Sequence, residues 1–336
     1  MTKRILIILV SLIVAGLFFW LAIRNIPLPD LWQQLQSASL WWVLPFAVFT
    51  LGSHYIRAER WNLLLPAEWN IRKSSLFAGV MSGYFFNNLV PRLGEITRPV
   101  YVARRYGLSK SNLVGTIVLE RLIDIISMLV IFVITIIFIV KDTGLILKIF
   151  GTEQWLWYHY ALVPFVLFII FVAILFFYRI LLSIERKSEL KNPVLIKIVS
   201  VARSFGAGMI SVRNIHSWPL FIFYTVSIWT AYVVMTYLPF YMFDLPSEYN
   251  LNFASAVVIT TIASIGITVP TPAGLGSYHL FVQQALWIVY GVPPVTGLAY
   301  ATLTHAGMLL LIFISAPLSL LADKYMLSEK TGSDHQ

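Results

Sequence analysis

Asn87-Asn88-Leu89-Val90-Pro91-Arg92-Leu93-Gly94-Glu95 stands in the middle of an otherwise apolar region, 75–101. A helix facing lipid would carry neither proline nor charge at that depth. Arg72 and Lys73 precede the region, and Arg104 and Arg105 follow it. Both flanks favour the cytoplasmic side of a membrane, so the segment has to enter and return. Exposed backbone in hydrocarbon costs several kcal/mol per unsatisfied group, so a break here must be buried in protein or line a wet cavity. The pattern predicts a re-entrant helical hairpin over about 75–103, turning at Pro91 and Gly94. A full span kinked at the proline is the alternative.

A second region reads the same way from the opposite face. Residues 253–269 are apolar and short, Pro270-Thr271-Pro272-Ala273-Gly274-Leu275-Gly276 breaks the helix, and an apolar stretch resumes over 278–290. Pro270, Pro272, Gly274 and Gly276 are the turn residues of this second hairpin, about 253–290. Its flanks, 244–252 and 291–294, hold no basic residue. Val90-Pro91 opens one break and Val269-Pro270 the other, and the returning arms end at Gly107 and Gly291. Aligned on those glycines, Arg121 falls on His305. Paired interrupted helices entered from opposite faces are the mark of inverted-repeat transporters, with the site near the midplane.

Composition fixes the solvent. The chain is 59% hydrophobic and 12% charged, with a mean hydropathy of +0.81, whereas soluble surfaces need about a quarter of residues charged. Six stretches are long and apolar enough to span: 5–23, 40–56, 114–140, 160–178, 218–243 and 295–322. The first is read as a retained helix, because no small-residue cleavage site follows it. With the N-terminus inside, nineteen of the 24 lysines and arginines, Arg57, Arg60 and Arg98 among them, fall on the cytoplasmic side. Arg24, Lys141 and Lys148 fall outside, and Arg92 and Arg121 lie at membrane depth. That bias orients the protein with both termini in the cytoplasm.

The net charge of +9 therefore belongs to membrane-flanking loops and anionic headgroups, and no nucleic-acid partner is expected. Residues 184–215 read as a basic amphipathic helix on anionic lipid, which also offers a protein partner a cytoplasmic surface. Residues 1–326 form one membrane domain, and 327–336 are a polar tail.

The helix after the first hairpin carries Glu120, Arg121 and Asp124 within an apolar run. Each costs about 2.5–3.5 kcal/mol at a helix centre. Glu120 and Asp124 share a face, and Arg121 can pair with Asp124 three residues on. Two readings stand: an ion-pair lock that holds this helix to the hairpin, or a substrate or proton path. Arg92 and Arg98 suit a phosphodiester headgroup, and Glu95 stands in a first helical turn. The plainer reading pairs Glu95 with Arg98, and Arg92 with Asp124 or Glu120. Arg57-Ala58-Glu59-Arg60-Trp61 reads as a membrane-surface anchor at a helix end. Asn87 and Asn88 are polar groups at the first tip. His279 and His305 are candidate proton carriers, or neutral hydrogen-bonded side chains.

The sequence lacks a Walker loop, a His-Glu-x-x-His pair and a G-x-S-x-G elbow, and has no cysteine. No cofactor, metal or catalytic residue is expected.

Four motifs then occur in order: Arg57-Ala58-Glu59-Arg60-Trp61-Asn62-Leu63-Leu64, Pro91-Arg92-Leu93-Gly94-Glu95-Ile96-Thr97-Arg98-Pro99, Glu120-Arg121-Leu122-Ile123-Asp124, and Pro270 to Gly276. Together they resemble the flippase-like, lysylphosphatidylglycerol synthase transmembrane-region family, over about residues 5–325. The resemblance implies two re-entrant hairpins and lipid translocation between leaflets, with Arg57, Arg60, Arg92, Glu95, Arg98, Glu120, Arg121 and Asp124 as the polar residues. The family's glycine turn is typically followed by an acidic residue where this chain has His279. The soluble aminoacyltransferase domain of the synthases is not seen, so lysyl-lipid synthesis is not expected.

The expectation is thus an all-α bacterial inner-membrane protein of six transmembrane helices and two oppositely oriented re-entrant hairpins. It would flip a lipid or lipid-linked anion, with Arg92, Arg98 or Arg121 neutralising the headgroup phosphate. A membrane-embedded accessory subunit or transferase acting on a lipid carrier, and a small-solute transporter, are the alternatives.

Overall fold

The computed structural model describes residues 2–141, 215 and 217–333. Every regular element among them is helical. The expected span at 160–178 and the amphipathic segment at 184–215, Ile215 apart, lie outside the described residues, as does part of the polar tail.

Helix α1 (Thr2–Ile23) is followed by α2 (Leu28–Ser37), which turns off by 86°. Proline at the second position of α2 suits a helix start. Its Leu28 and Trp32 are exposed, and no residue of it is buried, the pattern of an amphipathic helix lying at an interface. Helix α3 (Val43–Asn62), helix α4 (Lys73–Leu89), helix α5 (Gly94–Tyr106) and helix α6 (Lys110–Lys141) complete the first half. The second half comprises α7 (Trp218–Tyr237), the short α8 (Leu245–Tyr249), α9 (Phe253–Thr268), α10 (Ser277–Tyr290) and α11 (Pro294–Ser333). By length and composition two described helical stretches, Trp218–Phe243 and Pro294–Met326, can cross a membrane, and the bent α1–α2 pair adds a third. Large apolar side chains stand exposed along them, Ile222, Phe223, Leu310 and Ile314 among them, as a lipid-facing surface requires.

Helices α4 and α5 pack antiparallel, and small residues set their spacing. Ser75 bonds Tyr106, Gly79 meets Val102, Gly83 meets Arg98, and the Gly94 N–H donates to Asn87 Oδ1 at 2.7 Å. Both chains advance four residues per contact, so one small-residue stripe carries the whole interface. A Cβ on Gly94 would lie 1.9 Å from the Gly83 carbonyl oxygen; only glycine permits that approach. Between the arms, Val90 is extended and Arg92 adopts φ 65°.

The second hairpin, α9 and α10, repeats the contact. Gly266 meets the Ser277 carbonyl and Phe281 Cβ, at the same sequence spacings at which Gly83 meets the Gly94 carbonyl and Arg98 Cβ. The correspondence extends to neighbouring helices. Trp61, penultimate in α3, donates to Thr116, nine residues past Gly107. Thr236, penultimate in α7, accepts from the Tyr300 hydroxyl, nine residues past Gly291. Helix α3 packs on α7, α4 on α11 and α6 on α9. Each half buries its own apolar core, one around Trp61, Leu76, Val80 and Leu113, the other around Phe240, Ile259, Leu286 and Tyr300.

Replacing Gly94 by alanine should force the first hairpin apart and destabilise the protein by about 1–3 kcal/mol or more. Gly79→Ala meets only Val102 Cγ2, at 3.1 Å, a side chain able to shift, and should cost less. Thermal unfolding in detergent checks the order; equal losses would contradict the close-approach account.

Candidate functional site

Two helical faces meet at the site with matched spacing. Arg57 and Arg60 stand three apart on the last turns of α3, and Glu120 and Asp124 four apart on α6, so each pair presents one face. Arg57 Nη1 donates to Glu120 Oε1 at 2.5 Å and to Asp124 Oδ2 at 2.8 Å. Arg60 Nη2 donates to Asp124 Oδ1 at 2.6 Å and lies 3.4 Å from Glu120 Oε1. Arg98, from α5, closes a fork on Glu120, with Nη1–Oε1 at 3.0 Å and Nη2–Oε2 at 2.9 Å. Its guanidinium stacks 4.1 Å over the Trp61 ring, a cation–π contact that partly replaces lost hydration. Tyr232 of α7 accepts from Arg57 Nη2 at 2.9 Å, and Thr225 of α7 from Arg60 Nη1 at 3.4 Å.

Arg57, Arg60, Arg98 and Glu120 are each at most 4% exposed. Three guanidinium groups therefore face two carboxylates in a buried site, an excess of one positive charge. Arg57 and Arg60 are not surface anchors, and with Arg98 they do not stand free on the cytoplasmic side where charge counting put them. Burial against the carboxylates of α6 overrides the tendency of cations to seek a headgroup.

The opening of the cluster is marked by a looser pair. Arg121 Nε lies 3.5 Å from Glu95 Oε1, both side chains 42% exposed, and its Nη1 is 3.8 Å from Asp124 Oδ2. Glu95 thus pairs with Arg121 rather than Arg98, whose guanidinium is taken by Glu120 and the Trp61 ring. Arg92 is exposed in the turn, and no ion pair joins it to Asp124 or Glu120 among the described residues. Asn87 fastens the hairpin turn through the Gly94 amide, while Asn88 Nδ2 is buried without a hydrogen-bond partner.

Against this geometry, a family model described as lysylphosphatidylglycerol synthase TM region matches residues 7–316. The chain belongs to this family. It is an integral membrane protein of a family related to lipid handling. No curated protein and no solved structure matches it.

In this lysylphosphatidylglycerol synthase transmembrane-region protein the two histidines lie together in the second half. His279 and His305 meet edge to face at 4.9 Å, His305 stacks on Tyr278 at 5.3 Å, and His305 Nε2 donates to the Ala273 carbonyl at 2.9 Å. The hydrogen bond ties α11 to the hairpin turn at Ala273, whose φ is 56°. Gly276 in that turn carries α1 on its back: a Cβ there would sit 2.4 Å from the Ala15 carbonyl oxygen. His305 is fourteen residues past Gly291, as Arg121 is past Gly107, and each meets the first turn of the preceding hairpin arm. Among the described residues no cluster of histidines and carboxylates suits a metal ion.

Sequence reasoning did not single out several residues here. His54, one turn before Arg57, is buried against Tyr84 with ring centroids 4.1 Å apart. Asp323 of α11 is fully buried. It accepts from Ser75 at 2.6 Å, Tyr101 at 2.6 Å and Ser74 at 3.1 Å, and pairs with Arg105 at 2.8 Å. Nothing local marks a lone aspartate before Lys324, because its partners are about 220 to 250 residues away in sequence.

Removing one partner of a buried ion pair leaves the other charge uncompensated, at about 3–5 kcal/mol. Glu120→Ala, which leaves buried Arg98 without a carboxylate and Arg57 and Arg60 with Asp124 alone, should therefore destabilise the protein by roughly that amount in detergent unfolding. Glu95→Ala, at a half-exposed pair, should cost under about 1 kcal/mol. Equal effects would refute the assignment of Glu120 as the keystone.

Proposed function

We propose that this protein moves an anionic lipid, or a lipid-linked anionic molecule, between membrane leaflets by passing its headgroup over the Arg57–Arg60–Arg98 cluster. The observation that carries this reading is the buried excess of one positive charge. A buried uncompensated cation is costly, and a visiting phosphodiester would relieve it. Asp124 is the more accessible of the two acids, its side chain 14% exposed against 1% for Glu120. It bridges Arg57 and Arg60 through separate oxygens, which is the bidentate arrangement a phosphate can reproduce. The headgroup enters past Arg121 and Glu95, displaces Asp124 from the two arginines, and leaves when Asp124 returns. Glu120 stays bound to Arg98 throughout and keeps the site from collapsing. The acyl chains remain in lipid, so only the headgroup needs a polar path. In this reading Arg57 and Arg60 join Arg98 in the role expected of Arg92, Arg98 or Arg121.

The membrane arrangement in this reading is six spans with two oppositely oriented re-entrant hairpins in an inverted repeat, in a bacterial inner membrane with cytoplasmic termini. The reciprocal packing of α4 on α11 and α6 on α9 supports it. So do the matched contacts at Gly83 and Gly266, and at Thr116 and Tyr300. The cluster draws Thr225 and Tyr232 from the second half onto residues of the first, which supports a site between the repeats, where such transporters hold substrate. No catalytic step is assigned to the protein.

The test is transbilayer movement of headgroup-labelled phospholipids in liposomes holding the purified protein. The parent should move phosphatidylglycerol, and a folded Arg57→Gln/Arg60→Gln variant should be at least about tenfold slower, since a charge-assisted hydrogen bond contributes about 1.5–3 kcal/mol. Asp124→Asn removes the competing carboxylate and should tighten binding of anionic lipid while slowing its release. Unchanged movement in the double-glutamine variant would sink the proposal.

A further inference from the structure

Away from the ion cluster, on the opposite side of α5, a cavity of about 410 Å³ opens between α4, α5 and α11. Phe86, Val100 and Leu320 wall it with apolar surface, and Ser82 and Thr97 add two hydroxyls. Tyr101, Arg104 and Arg105 stand at the end nearest the base of the hairpin. From Thr97 to Arg105 the groove follows α5 for about 12 Å at 1.5 Å per residue. Beside it, Leu318 and Leu321 of α11 and Ile96 of α5 are more than half exposed, so the groove faces the hydrocarbon.

The two arginines differ in a way that selects an occupant. Arg105 is consumed: its Nε pairs with Asp323 at 2.8 Å and its Nη2 donates to the Asp323 carbonyl at 2.7 Å. Arg104, one residue earlier, is exposed and has no carboxylate partner among the described residues. With Arg105 neutralised by Asp323, one free positive charge stands at the head of an apolar groove in a membrane protein. One phosphodiester on an acyl chain complements it in charge and shape. We propose that this groove binds one anionic phospholipid, its phosphate on Arg104 and an acyl chain along Phe86, Val100 and Leu320. The α4–α5 hairpin separates this lipid from the headgroup path at Arg57 and Arg60. It is a resident lipid that wedges between the hairpin and α11 next to the Asp323 tie.

Retention is measured by native mass spectrometry of the purified full chain, titrated with phosphatidylglycerol or phosphatidylethanolamine. The parent should retain phosphatidylglycerol in preference. Arg104→Gln should weaken its retention about tenfold, the loss of one charge-assisted contact of about 1.4 kcal/mol. Arg104→Lys should restore most of it, and Val100→Trp, which fills the groove, should reduce retention of both lipids. Arg24→Gln, an exposed arginine outside both sites, should leave the preference intact. Parent-like retention by Arg104→Gln overturns the proposal, as does an equal loss of both lipids in that variant. The readout needs no lipid movement, so a protein that flips nothing can still bind this lipid, and one that flips lipid can fail here.

Discussion

A buried carboxylate on an apolar helix has to find cations before that helix can settle, and α6 carries two of them on one face. Glu120 and Asp124 recruit Arg57 and Arg60 from α3 and Arg98 from α5, and through those arginines Thr225 and Tyr232 from α7. Four helices distant in sequence are brought to one point by a single electrostatic requirement. The desolvation of five charges is repaid only because nearly every oxygen receives a guanidinium donor in fork or bridge geometry. A hydrophobic cluster of the same volume would pack these helices as well and be cheaper to bury. The costlier solution is present, with a cation left over, and that excess is the ground for the proposed headgroup site.

The hairpins meet a second constraint, that no buried backbone polar group be left unpaired. In the first, Asn87 takes the Gly94 amide. In the second, Thr271 and Ser277 bond each other across the break and His305 takes the Ala273 carbonyl. Both solutions need the arms in near-contact, hence glycine at 83, 94 and 266, with no room for a Cβ at Gly94. The ion cluster depends on this closeness, since Arg98 reaches Glu120 only because α5 lies flat against α4.

The proline–glycine breaks, the apolar runs and the acids set within them were legible in the chain because each is local. A break is a property of nine residues, and a charge on an apolar run is visible wherever it stands. Partner choice was not legible. Arg57 and Arg60 looked like a surface anchor because a helix end rich in arginine normally meets headgroups. Only the approach of α6, some 60 residues on, makes them interior. Glu95 and Arg98 looked like an i,i+3 pair because sequence spacing favours near neighbours, whereas Trp61 from α3 holds Arg98 out of reach. Asp323 was invisible for the same reason, its four side-chain partners lying on helices from the opposite end of the chain. The 86° turn between α1 and α2 falls at Pro27 and Pro29, a signal the apolar run of α1 obscured.

The two halves reuse one scaffold with different chemistry. Where the first sets Glu95 against Arg121 at the mouth of a charged site, the second sets Tyr278 and His279 against His305. Where Glu120 anchors three arginines, the residue at the matching distance past Gly291 is Thr304, bonded to Tyr278 at 3.0 Å. At these positions the second half is held by aromatic stacking and hydrogen bonds rather than by ion pairs. An anion crossing between the halves would be attracted to one wall and merely tolerated by the other. In the proposed path that asymmetry would suit release, because guanidinium groups supplied by both halves would hold a phosphodiester too tightly to let it leave.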